Sequence, residues 1–527
     1  MKNNFLKIAG FSVLVAVIFS SCAKLLNETP ANTTTGDEAY STPLGYTQAL
    51  AKAYGAFALT SSTGPASSDV QGVDPGTSDF LRLFWNTQEL STDEAVCAWN
   101  DPGVPDFHNM NWSSGNVILL GLYTRSIYQI TVCNDFIRNS APSVVAGKGF
   151  APADLATIQN YRAEARFLRA YQYWVLMDEF ANPPFVTEND PVGSFIPPQI
   201  SRANLYKYVV SELLSCDSAM VAPRQNQYGR ADQAAAWALL ARVYLNAGVY
   251  TGTPDWTDAI TYATKVINAG YSLDANYRDL FLADNNISNP EMIMPIEYDG
   301  VNTQNYGGTT FIINSSCGGG AGTPASYGVP SGGWAGNRAT PVFAKLFPTI
   351  DTTVDKRALF FGTDVPIASI ATFTDGVPVA KFLNITSTGA TPPGGGTYAS
   401  TDFPLFRLAE QYLIYAEAVL QGGTGGDMNT ALNYMNLLRE RAYGNSSGNF
   451  SSIALSDIIN ERGRELWWEC FRRTDLIRFN EFTSGSYLWD WKGGVPSGTG
   501  VAGYYSIYPI PSSDIQVNPN LTQNPNY

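Results

Sequence analysis

The feature that most constrains this chain is a succession of long, alanine-bearing helical patterns, each followed closely by another. YRAEARFLRAYQYWVLMDEF (161–180) repeats Ala165, Leu168, Tyr171 or Gln172, and Val175 at three- and four-residue steps. That spacing gathers apolar side chains on one helix face. GRADQAAAWALLARVYLNAG (229–248) and WTDAITYATKVINAG (256–270) follow. Late in the chain come LFRLAEQYLIYAEAVLQGG (405–423), DMNTALNYMNLLRERAYG (427–444) and LSDIINERGRELWWECFRRTDLIRF (455–479). Asp427 and Ser456 are predicted N-caps, and Gly248, Gly270, Gly422 and Gly444 C-terminal stops. Alanine faces let neighbours approach, and the spacing is near the about 34 residues of tetratricopeptide-type helix–turn–helix repeats, here irregular. The predicted class is mostly α, with tetratricopeptide-like helix pairs supporting an irregular, loop-rich region with short strands.

The stretch at about 275–404 differs in composition. It carries SSCGGGAGTPASYGVPSGGWAGNRATP (315–341) and TSTGATPPGGGTYAST (386–401), with short strand-like pieces such as EMIMPIEY (291–298) between turns. Residues 62–125 are similar, with Gly, Asp, Asn and Trp alternating. Both read as loops on a helical frame whose repeats lie mainly at 120–274 and 405–480. Loops on a rigid scaffold are where binding residues collect.

The first residues read as an address. Lys2 and Lys7 flank the start of the chain, and a short apolar run, Ile8 to Phe19, leads to Ser20, Ser21 and Cys22. A positive start, an apolar stretch and small residues define a secretory signal. A small pair directly before a thiol is the bacterial lipoprotein form, with Phe19 standing where Leu is usual. Residues 1–21 are predicted to be removed and Cys22 to be lipidated, leaving 22–40 as a polar tether and 41–527 as a single domain. Acyl chains, at about 0.8 kcal/mol per buried CH₂, hold a protein on a membrane without a spanning helix. Cys97, Cys133, Cys216, Cys317 and Cys470 are odd in number and form no CxxC, which predicts buried free thiols rather than a disulfide framework.

Charge removes several function classes. Acidic residues outnumber basic ones 46 to 32, a net charge of -14 that repels nucleic acid. The single histidine, His108, excludes a multi-histidine metal site and leaves Ser–His–Asp or Cys–His catalysis without a base unless it supplies one. In FHNMNW it reads as a loop or packing residue. Glu461, Glu465 and Glu469 recur every four residues near Arg462, Arg464, Arg472 and Arg473. A glycosidase needs two carboxylates facing across a cleft at about 5–10 Å. These share a helix face with arginines and read as interhelical ion pairs, as do Arg162, Arg166 and Arg169 with Glu164. Gly-rich 318–322 lacks the Lys-Ser/Thr of a phosphate loop. Asp274, Asp279 and Asp284 could supply oxygen ligands to a structural Ca²⁺, and no other cofactor is predicted. The 29 Tyr, 27 Phe and 11 Trp suit neutral, ring-shaped ligands.

On these features the chain resembles the SusD/RagB family of outer-membrane, nutrient-binding lipoproteins. Besides Cys22, the resemblance rests on ARFLRAYQYWVLMDEFANPPFV (165–186), GRADQAAAWALLARVYLNAG, RLAEQYLIYAEA (407–418), INERGRELWWECFRRTDLIRF (459–479) and IYPIPSSDIQVNPNLTQNPNY (507–527), in family order over most of the chain. After Cys22 stands Ala-Lys-Leu-Leu, where many members carry an acidic cluster. The resemblance implies about four helix pairs packed against an irregular ligand-binding region. It implies a noncatalytic glycan binder, lipid-anchored in the outer membrane and facing the cell exterior. Such a protein sits as a lid on a SusC-like TonB-dependent transporter.

Sugars offer a weakly apolar C–H face and a rim of hydroxyls, so their binding wants flat rings plus short polar side chains and Arg. Loop 88–103 supplies Asp93, Glu94, Trp99, Asn100 and Asp101, and 72–85 supplies Asp74 and Arg82. Tyr306 lies in 299–308 and Trp334 in 332–338, each beside glycines. In the starch-binding branch, the resemblance makes Asp74 and Arg82 a hydrogen-bonding pair and Trp99 a first platform. It makes Asn100 or Asp101 a polar partner, and Tyr306 and Trp334 the second and third platforms. Three rings in an arc fit the curved form of an α-1,4-glucan. Trp85, in the apolar FLRLFW, reads as core. The alternatives are a glycoside hydrolase, or a binder of a different glycan or a peptide.

Overall fold

Polar caps written next to apolar runs set where much of the helical frame begins. The computed structural model describes residues 36–193, 195–320 and 322–527. The signal segment, Cys22 and the tether as far as residue 35 lie outside the described residues. Helix α1 (Pro43–Ala58) starts under Thr42 and α2 (Phe80–Glu89) under Asp79, whose side chains accept backbone N–H groups of the first turn. After strand β1 (Val96–Cys97), Asn116 caps α3 (Val117–Asn139) in the same way, while α4 (Pro152–Phe180) opens on a proline. Then come α5 (Arg202–Asp217), α6 (Gln233–Leu245) capped by Asp232, and α7 (Trp256–Ile267). The intervening region holds β2 (Met292–Ile296), α8 (Gly308–Ser316) and β3 (Asn337–Arg338). The chain continues through β4 (Phe403–Arg407), α9 (Leu408–Leu420), α10 (Met428–Tyr443) capped by Asp427, α11 (Leu455–Leu466) and α12 (Arg472–Arg478).

Each long helix packs on the next: α3 on α4, α4 on α5, α5 on α6, α6 on α7, α7 on α9 and α9 on α10. Helix α7 shows why: Ala259, Ile260, Ala263 and Val266 are buried at helical spacing. In α6 buried positions run round the helix, as its place between α5 and α7 requires. The fold is mostly α, and its two sheets are minimal. Strand β2 pairs antiparallel with β4, Met292 opposite Arg407 and Ile296 opposite Phe403, and β1 pairs with β3. The five cysteines after Cys22 are all buried and free.

Several expected boundaries move. Helix α4 begins at Pro152, well before residue 161, and α2 lies inside a stretch read as loop. Residues 405–407, read as the start of a helix, belong to strand Phe403–Arg407. Ser456 is not a cap: Ala454 holds that place, and the Asp457 carboxylate accepts the Ala454 N–H at 2.9 Å. Gly248 stops nothing, because α6 ends at Leu245 with Asn246 as its C-cap, and Gly248 lies in the next helical turn. The 455–479 pattern is two helices. Between them Trp468 and Cys470 adopt left-handed backbone (φ 62° and 66°). Their N–H groups donate to Glu94 and Glu89, each at 2.7 Å, so buried carboxylates take the donors a continuous helix would use. The proposed Ca²⁺ ligands do not converge. Asp274 and Asp279 accept from Asn276, whereas Asp284 accepts from Ser387. Among the described residues no group of three or more His, Cys, Asp or Glu could hold a metal.

The acidic series on α11 forms ion pairs, as expected, although Glu469 lies in the turn beyond the helix. Glu461 meets Arg357 at 2.7 Å, Arg439 at 2.8 Å and Arg464 at 2.6 Å. Glu465 meets Arg407 at 2.6 Å and Arg357 at 3.1 Å, and also pairs with Arg441. Glu469 joins Lys381 and Arg407, and Glu291 joins Arg407 and Arg441. Burial alone would raise the Glu461 pKa, but Arg357, Arg464 and Arg439 outweigh it and hold it at about 2. In the second series Arg166 and Arg169 pair with Glu212, and Glu164 pairs with Arg230.

Removing one member of the buried network strands its partners. Glu465→Gln should cost ~3–5 kcal/mol in urea unfolding. Lys265→Ala, which breaks the half-exposed Lys265–Asp217 pair, should cost under ~1 kcal/mol. Because the folded pKa of Glu461 is depressed, its contribution is present above its ordinary value of 4.5 and is lost as pH falls through about 2. The stability gap between the parent and Glu461→Gln should therefore shrink from pH 4.5 downward in thermal unfolding followed by circular dichroism.

Candidate ligand-binding site

The cap of α2 is also a clasp between distant parts of the chain. One Asp79 oxygen accepts the Arg82 N–H at 2.9 Å and the Gly308 N–H at 2.7 Å, so α2 and α8 start from one carboxylate. The loop before α8 must pass very close to do this. A Cβ on Gly307 would lie 2.0 Å from Asp79 Cβ, and one on Gly308 would lie 2.3 Å from the Tyr298 ring. Two glycines permit this approach, and Tyr306, the residue before them, stands 40% exposed at the surface.

A second juxtaposition comes from the β1–β3 ladder. Val96 pairs with Arg338 and Cys97 with Asn337, and the Ala98 N–H donates to the Gly336 carbonyl at 2.9 Å. This sets Trp99 over Gly336, where a Cβ would lie 2.4 Å from the indole nitrogen. Trp334 is held by its own N–H, which donates to the Asn314 carbonyl at the end of α8 at 2.7 Å.

The three predicted platforms therefore meet. Trp99 and Trp334 have ring centroids 6.4 Å apart and planes tilted by 47°. Trp334 and Tyr306 are 6.4 Å apart with a tilt of 52°. Both tryptophans are half-buried. A fourth ring extends the row: Tyr398 lies 5.5 Å from Tyr306 with a tilt of 51°. Sequence reading missed Tyr398, although it carries the signal that marked Trp334, an aromatic residue in the Gly-rich run GGGTYAS.

The polar candidates gather beside the first ring. The Arg82 guanidinium lies 4.7 Å from the Phe311 ring centroid and 5.6 Å from that of Trp99. It donates to the carbonyls of Gly76 at 2.8 Å and Tyr306 at 3.1 Å, while its Nε has no hydrogen-bond partner among the described residues. Burial lowers the Arg82 pKa, against the pull of nearby acidic groups that include Asp101, Asp79 and Asp74. Asp74 is exposed and its Oδ1 accepts the Gly76 N–H at 2.9 Å. Asn100 and Asp101 are exposed directly after Trp99. Asp93 and Glu94, from the same loop, are fully buried. Asp93 pairs with Arg472 at 2.7 Å, and Glu94 accepts the Trp468 N–H. Trp85 is buried, in contact with Phe311 and Trp468. His108 is buried too, and burial, with Arg338 nearby, pushes its pKa down to about 3. The arrangement is a shallow cradle of rings with an arginine, carboxylates and an amide at one end. It can stack on C–H faces and hydrogen-bond hydroxyls.

Comparison with known proteins agrees with this architecture. The model of the SusD family matches residues 354–527, and a family described as starch-binding associating with outer membrane matches 150–245. The chain is 36% identical to the starch-binding protein SusD of Bacteroides thetaiotaomicron over the whole of both chains. It is 26% identical to a SusD-like protein of Bacteroides ovatus, over 74% of this chain and 70% of that one. Among solved structures, a SusD superfamily protein from Bacteroides thetaiotaomicron has a TM-score of 0.70 at 20% identity, covering 92% of this chain and all of the other. A laminarin-binding SusD-like protein has a TM-score of 0.68 at 22% identity, covering 92% of this chain and 99% of its own. At those identities the two structures speak for the fold.

The two kinds of tryptophan should separate in mutagenesis. Trp85→Ala, in the core, should cost ~3–5 kcal/mol of stability in chemical unfolding. Trp334→Ala, half-buried in the cradle, should cost clearly less, on the order of 1 kcal/mol.

Proposed function

Because the chain belongs to the SusD family, we propose that it captures starch-like α-glucan at the cell surface and passes it to a SusC-like TonB-dependent transporter in the outer membrane. It is a binder and not an enzyme, as its family is. The observation that carries the reading is the row Trp99, Trp334 and Tyr306, with neighbouring centroids 6.4 Å apart and planes turned by 47° and 52°. A flat glucan would be served by coplanar rings. Rings turned against one another suit a chain that curves as it advances, as an α-1,4-glucan does. Arg82, Asp74 and Asn100 or Asp101 serve its hydroxyls where it crosses Trp99. A relative that matches this chain from end to end is a starch-binding protein, which supports the same substrate class.

The mature protein is proposed to start at lipidated Cys22, with a tether shorter than the 22–40 read from sequence, because a short helix at Gly36–Ala39 and buried Tyr40, whose hydroxyl donates to Asp135 at 2.9 Å, already belong to the binding domain. Among the described residues no helix is long and apolar enough to cross a membrane. Single-site affinity can be modest, because a polymer and a neighbouring transporter raise the effective concentration.

Native electrophoresis in gels containing amylopectin, laminarin or cellulose tests the substrate. Amylopectin should retard the protein, and no reducing sugar should appear on incubation. Trp334→Ala should weaken amylopectin binding about tenfold or more, on the order of 1–2 kcal/mol. Retardation by laminarin or cellulose but not amylopectin would overturn the α-glucan assignment.

A further inference from the structure

A cleft of about 350 Å³ opens between α1, the first part of α4, the turn at 227–230 and the end of β2. That size lies in the about 300–1,000 Å³ range of small-molecule sites. None of the cradle residues lines it. It shares only the 299–308 loop with the cradle, through Thr303. The floor is aliphatic and aromatic: Leu50, Phe57, Met294 and Ile296.

Three tyrosines stand around this floor, each held in place. The Tyr54 hydroxyl donates to Glu164 at 2.6 Å and the Tyr228 hydroxyl to Asp402 at 2.8 Å. The Arg230 guanidinium covers Tyr161, 4.7 Å from its centroid. Arg230 is neutralised by Glu164, to which its Nε donates at 3.0 Å.

Glu297 has no such counterpart. It stands exposed at the rim of the cleft and makes no hydrogen bond or ion pair among the described residues, and partial desolvation raises its pKa. Its side chain occupies the space left by Gly229, whose backbone is left-handed (φ 77°) and where a Cβ would lie 1.7 Å from the Glu297 oxygen. Asp402, behind Tyr228, also lacks a cation; burial first, with Glu297 and Asp299 adding to it, pushes its carboxyl to about 7. This end of the cleft is therefore acidic and uncompensated, on a chain of net charge -14.

These features constrain the ligand. A neutral apolar molecule would satisfy the floor but bury Glu297 without a partner, which is costly. A bare sugar would leave hydroxyls against Leu50, Phe57 and Ile296. A chain of methylenes ending in a cation satisfies both parts, since tyrosine faces and a carboxylate each attract positive charge. We propose that the cleft is a second ligand site that takes the cationic end of an aliphatic chain, an alkylammonium or alkylguanidinium, against Glu297 and Tyr228. The site stands independently of the glycan reading.

Isothermal titration of the full chain at low salt with n-hexylammonium, and with n-hexanol as the neutral analogue, tests this. Saturable binding of n-hexylammonium is expected, with hexanol at least about tenfold weaker. Glu297→Gln should weaken the ammonium about tenfold, with an unchanged circular dichroism spectrum. Should that variant misfold, Ala51→Trp, placed on the exposed side of α1 at the cleft wall, should fill the space and abolish binding. A blocked lysine peptide in a parallel titration separates the two sources of the same chemistry. Tighter binding of the peptide assigns the site to a partner's side chain, and tighter binding of the free amine assigns it to a small molecule. Equal binding of hexanol and hexylammonium, or Glu297→Gln and Ala51→Trp both binding as the parent does, would overturn the proposal.

Discussion

Glu465 is the point at which this fold is tied together. Its buried carboxylate takes hydrogen bonds from Arg407 on β4, Arg441 on α10 and Arg357 from the intervening region. Arg407 in turn reaches Glu291 and Glu469, and Arg357 reaches Glu461 and Asp355. Each of these charges is expensive to remove from water, and each is tolerated only because its partners arrive at the same place. The contribution is therefore selective more than additive. An apolar core of equal shape is often as stable, but its contacts carry no direction with which to fix the 275–404 region on the helices. Sheets of two and five residues cannot supply that direction.

The cradle inherits its position from that frame. Glu89 and Glu94 hold the turn between α11 and α12 by its N–H groups, and Trp468 in that turn packs 5.0 Å from Trp85. Trp85 lies 5.5 Å from Phe311, which supports both Arg82 and Trp99. The half-buried tryptophans of the cradle thus stand on buried rings, and the buried rings on charge-held backbone. A ligand meets a surface already in place, so less of its binding energy goes to ordering side chains. Gly307, Gly308 and Gly336 let backbone and ring approach where any side chain would collide.

Much of the frame was legible because helix periodicity is a local property. The 256–270 and 427–444 patterns each carry their own apolar face, 229–248 is apolar nearly all round, and 229–248 and 427–444 each hold an aspartate cap. The 455–479 pattern misled for a non-local reason. Its period continues through Trp468 and Cys470, but carboxylates about 370 positions away capture their N–H groups. The candidate site was legible by a different signal, aromatic residues beside glycines, which marked Trp334 and Tyr306 and would have marked Tyr398. Asp93 and Glu94 show the limit of that signal. They share a loop with Trp99 and are as polar as Asn100 and Asp101, yet they are sealed inside against Arg472 and Trp468.

By itself the amino-acid order determined the helical class, several caps, the free thiols, the acidic balance and the kinds of side chain available for a neutral ring-shaped ligand. All of these follow from spacing, composition or neighbours within a few residues. Only the tertiary structure decided which rings face solvent, which carboxylates meet arginines and which are left without a cation. Those outcomes depend on desolvation, and desolvation depends on which segments arrive together. Trp99 and Trp334 meet through a ladder of two residue pairs, and nothing local to either tryptophan encodes that pairing.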